Sequence, residues 1–80
     1  MKNDIESIII KVLNENGIEV ENANAILDFD SLTFISIIVC LEEELNIVIP
    51  DNLLTIDNFL TMQMYLDNIN KLIKEQKNEN

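Results

Sequence analysis

The chain is 80 residues long and 48% hydrophobic, with one Gly and one Pro, which suits one folded helical domain over residues 1–80 and excludes disordered tails and turn-rich β architectures. Fifteen acids against five basic residues give a net charge of −10; that opposes contact with nucleic acid or anionic lipid and directs attention to basic protein partners. Histidine is absent, which removes the commonest general base and metal ligand, so neither an enzyme nor a metal site is expected.

The N-terminus has only three consecutive isoleucines, Ile8 to Ile10, too few for a signal peptide or a membrane span, and a cytoplasmic monomer is expected. Asn3 followed by Glu6 has capping-box spacing, and Ile5, Ile8, Ile9, Val12 and Leu13 recur at helical spacing, predicting a first helix over about 4–16. Gly17 stands where a left-handed C-cap is wanted. Residues 18–30 mix Asn, Glu and scattered apolars without a period, and read as a long loop anchored by Val20, Ile26 and Leu27.

From Ser31 to Leu45 two apolar stripes run at helical spacing. Phe34, Ile37, Ile38, Leu41 and Leu45 are enough for a core. Leu32, Ile35 and Val39 continue into Glu42 and Glu43, so this second stripe is expected at the surface as a partner site; the alternative is a helix buried on both faces. Cys40, inside the same apolar run, reads as a small buried hydrophobe. Pro50 ends the helical stretch, and Asp51 and Asn52 turn the chain. Leu53, Leu54 and Ile56 fit one or two short helical turns. Asp57 or Asn58 then caps a last helix carrying Phe59, Leu60, Met62, Tyr65, Leu66, Ile69 and Ile73, with Lys71, Lys74 and Lys77 favouring its C-terminal end. Residues 1–3 and 75–80 are expected to fray.

Asp28 and Asp30 could open a calcium loop, but Phe34 and Val39 occupy ligand positions and the mid-loop glycine is missing. Met62, Met64 and Tyr65 suit a core better than a soft-metal site. The sharpest feature is Asp30-Ser31-Leu32 at the mouth of the second helix, followed by Leu41-Glu42-Glu43-Glu44-Leu45 and then Ile49-Pro50-Asp51. In this constellation the chain resembles the acyl and peptidyl carrier protein family, from the first helix to about Ile69.

The resemblance implies an all-α, four-helix acyl-carrier-like bundle with three main helices and a short third. It implies that a phosphopantetheinyl transferase attaches 4′-phosphopantetheine covalently to Ser31, with Asp30 and Leu32 contacting that enzyme. It further implies that Leu32, Ile35, Val39, Glu42, Glu43 and Asp51 face acyl-loading and acyl-processing enzymes with basic docking surfaces. A helix N-terminus tolerates the added phosphodiester, because free N–H groups and the dipole offset the small repulsion from Asp30. Two features depart from the family's pattern: Asp28 stands where a glycine is usual, with bulky Phe29 next, and Thr33 and Ser36 stand early in the second helix where acids are frequent. The cargo therefore belongs to fatty-acid or to specialised, polyketide-like biosynthesis. An aminoacyl or peptidyl carrier is the alternative, and an unmodified helical interaction module is the rival of a different class.

Overall fold

A computed structural model describes residues 2–77. The fold is all-α, with three helices in the order α1 (Lys2–Glu15), α2 (Ser31–Leu45) and α3 (Met62–Lys77), and two 3-10 turns, Asp51–Leu53 and Ile56–Phe59, between the last two. The two turns occupy the place of the expected short third helix. The first helix starts ahead of the proposed capping box, so Asn3 lies within the helix instead of at its cap. Lys2, Asn3 and residues 75–77 are helical, while Met1 and residues 78–80, also expected to fray, lie outside the described residues.

Each of the first two helices stops on a left-handed residue followed by a buried isoleucine. Gly17 has φ 84°, its N–H donates to the Asn14 carbonyl and that of Ile18 to the Leu13 carbonyl, 3.0 and 2.9 Å away, the pairing of a Schellman motif. Asn46 takes the left-handed position for α2 with φ 56°; its own N–H donates to the Glu42 carbonyl, and so does that of Ile47, at 3.2 Å. Ile18 and Ile47 are both buried. Each helix end thus satisfies its carbonyls and anchors the chain that follows.

The core takes Ile9, Val12 and Leu13 from α1, Phe34, Ile37, Ile38, Leu41 and Leu45 from α2, and Met62, Tyr65, Ile69 and Leu72 from α3. A chain of aromatic contacts crosses it: Phe29 stacks on Phe34 at 5.8 Å, Phe34 meets Phe59 at 5.7 Å, and Phe59 meets Tyr65 at 4.8 Å. The long loop is strapped to the start of α3 by backbone bonds from Leu27 N–H to the Leu60 carbonyl and from Gln63 N–H to the Ala23 carbonyl, 2.7 and 2.9 Å. An isolated bridge pairs Ile26 with Thr61. Ile26 itself is exposed, so its expected role as an apolar anchor is corrected. Its backbone holds the loop, while Ile18 and Leu27 supply the buried side chains.

The sequence-based start of the last helix is corrected as well, because Phe59 belongs to a 3-10 turn and α3 begins at Met62. Thr61, whose hydroxyl accepts the Met64 N–H at 3.2 Å, serves where Asp57 or Asn58 was expected as cap. Cys40 is half-buried against the core rather than fully enclosed.

Candidate functional site

Asp30 is the N-cap of α2: its backbone is extended, and one carboxylate oxygen accepts the Thr33 N–H at 2.8 Å. That bond, first of all, holds its carboxyl below the usual carboxylate range, as expected for an anion at the positive end of a helix. The cap fixes where the helix begins, and Ser31 is its first residue and is exposed. Phe29 resolves the first departure from the family's pattern: it turns inward onto Phe34, leaving Asp28 exposed.

The exposed stripe of α2 is as read from the sequence. Leu32, Ile35 and Val39 are 80%, 57% and 45% exposed, while the first stripe is buried throughout. Glu43 and Asp51 are exposed and Glu42 is half-buried. By helical spacing Glu42 and Glu43 extend the stripe beyond Val39, and Asp51 opens the first 3-10 turn after Pro50.

Beside this stripe runs a groove of about 620 Å³, whose lining includes Ser31. Phe34, Ile35, Ile38, Val39 and Glu42 form its α2 wall, and residues 54–57 form the other. The second wall was not legible as part of a site, because nothing in Leu54, Thr55, Ile56 or Asp57 marks them except an apolar pair flanking a turn. Two side chains hold the connector between the walls. Glu42 Oε2 accepts the Ile49 N–H at 2.8 Å, and the Gln76 amide clamps Val48, accepting from its N–H at 2.9 Å and donating to its carbonyl at 2.6 Å. Ile47 and Ile49 are buried on either side of Val48.

Among the described residues no group of three or more His, Cys, Asp or Glu is placed to hold a metal, and no helix is long and apolar enough to cross a membrane. An exposed serine at a capped helix start, beside a groove, leaves room for a covalently attached flexible arm. The comparison with known families agrees: the model described as the phosphopantetheine attachment site matches residues 3–62, from α1 to the first residue of α3. No curated protein and no solved structure matches the chain. The match covers well over half of the chain, which therefore belongs to the family of carrier domains that hold 4′-phosphopantetheine covalently on a serine.

Proposed function

We propose that Ser31 is the attachment point and that the chain carries acyl intermediates as thioesters on the arm's terminal thiol, in fatty-acid or specialised, polyketide-like biosynthesis. The observation that carries this reading is the exposed Ser31 at the first turn of α2, opening onto the groove. The chain performs no reaction of its own. Its work is to present the serine to a phosphopantetheinyl transferase, with Asp30 and Leu32 beside it, and then to offer the loaded arm to successive enzymes in the cytoplasm as a monomer.

The surface around α2 supports docking by basic partners. Three exposed aliphatics supply contact area that is desolvated on binding, and Glu42, Glu43 and Asp51 at their border supply charge that steers a cationic partner into register. Incubation with a broad-specificity transferase and an acyl-coenzyme A tests the carrier role. The protein should gain the mass of the acylated arm, and neutral hydroxylamine should remove the acyl part alone. A gain in mass that hydroxylamine leaves intact would mean that the cargo is not held as a thioester, and the reading would fail.

A further inference from the structure

The chain's one glycine follows an asparagine, and the pair Asn16-Gly17 comes directly after α1. This dipeptide carries a chemistry of its own. The backbone nitrogen of the residue after an asparagine can attack that asparagine's side-chain carbonyl carbon. The attack is easiest at glycine, which has no Cβ to hinder it and a backbone free to take the required conformation. Gly17 is exposed, and no other part of the fold comes within 4 Å of where its Cβ would lie, so no neighbouring element crowds the reacting pair.

In the folded chain both reacting groups are held elsewhere. The Asn16 carboxamide donates from Nδ2 to the Val12 carbonyl at 2.8 Å, which turns it back along α1. The Gly17 N–H donates to the Asn14 carbonyl at 3.0 Å, and this bond retains the proton that must leave before the nitrogen can attack. The Ile18 N–H is tied to the Leu13 carbonyl at 2.9 Å, and the Ile18 side chain is buried. Reaction therefore needs this helix end to open, a local event that costs less than global unfolding.

We propose that Asn16 is a site of spontaneous deamidation, gated by the cap of α1 and independent of the carrier role. When the cap opens, the Gly17 nitrogen gives up its proton and bonds to Asn16 Cγ. The Cγ–Nδ2 bond breaks, and the amide nitrogen leaves with a proton as ammonia, closing a cyclic succinimide. Water then opens the ring. Cleavage between Cγ and the Gly17 nitrogen leaves aspartate; cleavage between the Asn16 backbone carbonyl carbon and that nitrogen leaves isoaspartate, whose main chain runs through the side-chain methylene. Water is the only co-reactant. Either product lacks the Nδ2 donor to Val12 and adds an anion at the negative end of the α1 dipole, close in sequence to Glu15 and Glu19. Isoaspartate also lengthens the link to the buried anchor Ile18. A modified chain is thus held less firmly at this end than the original.

Peptide mapping by mass spectrometry after incubation at mildly alkaline pH reads the modification directly, in buffer and in guanidinium chloride. Asn16 should convert ahead of every other asparagine in the denaturant, and about tenfold or more slowly in the folded protein. Ile18→Val trims the anchor without removing it, so its rate in buffer should rise severalfold while its rate in denaturant stays that of the wild type. Asn16→Asp, the normal-backbone product, should melt a few degrees lower than the wild type. Asn16→Gln keeps a carboxamide donor but closes the larger ring poorly, and should not convert on the same timescale. No conversion at Asn16 in denaturant would remove the site. Equal wild-type rates in buffer and denaturant, or an Ile18→Val rate in buffer equal to that of the wild type, would remove the gate. An Asn16→Asp variant that melts no lower would remove the consequence. Each of these results overturns the proposal and leaves the carrier role standing.

Discussion

Asp30 and Ser31 divide the start of α2 between them, one satisfying the helix and the other exposed, where we propose the arm is attached. Because its lowered carboxyl stays ionised, Asp30 stabilises the folded state fully above the ordinary carboxylate range, and this contribution is lost as pH falls through its depressed value. Replacing it by Asn keeps an acceptor for the Thr33 N–H and removes the titration. The stability difference between the wild type and Asp30→Asn should therefore be flat at neutral pH and shrink in acid; a difference that grows on acidification would contradict this role. Tyr65 is the opposite case. It is fully buried, its hydroxyl has no hydrogen-bond partner among the described residues, and burial pushes its ionisation well above the usual tyrosine range. An unsatisfied buried hydroxyl costs about 1–3 kcal/mol, so Tyr65→Phe should leave stability unchanged or raise it, as read from urea midpoints. A clear loss would show that the hydroxyl has a partner after all.

At the scale of elements, α2 carries the fold on one face and exposes apolar side chains on another, and substitutions should separate the two. Leu41→Ala, at a fully buried position, should cost about 2–5 kcal/mol. Val39→Lys, on the exposed stripe, should change stability by about 0.5 kcal/mol, yet it sets a cation on the proposed docking surface for basic partners and should slow loading by partner enzymes. Equal destabilisation by both would place Val39 in the core. This two-faced character was legible in the sequence because helical period sorts Phe34, Ile37, Ile38, Leu41 and Leu45 from Leu32, Ile35 and Val39 without reference to any other element. Gly17 was legible too, since a lone glycine at the end of a periodic run has few other uses. Asn46 fills the same left-handed position and was missed, because asparagine is also common in ordinary turns. What lay furthest from reach was what depends on other elements. The loop is held by backbone bonds that carry no side-chain signature. Phe59 fits a helical stripe by spacing, yet Thr61 delays the start of α3. The wall at residues 54–57 becomes a site only when α2 lies opposite.

Taken whole, the molecule is a small body with a net charge of −10, and its described residues include one ion pair, Lys11 with Glu44 at 3.6 Å, half exposed at both ends and of little worth. Self-repulsion should weigh on the fold, so raising ionic strength from low to moderate should raise the melting temperature; an unmoved curve would mean that the charges are too far apart to matter. The same charge suits the proposed docking of basic partners around Ser31. Intact mass spectrometry of the wild type and Ser31→Ala, each incubated with a broad-specificity phosphopantetheinyl transferase and coenzyme A, tests that serine most directly. The wild type should gain a single phosphopantetheine and Ser31→Ala none; a wild type that stays unmodified, or a Ser31→Ala variant that still gains the arm, would contradict the account.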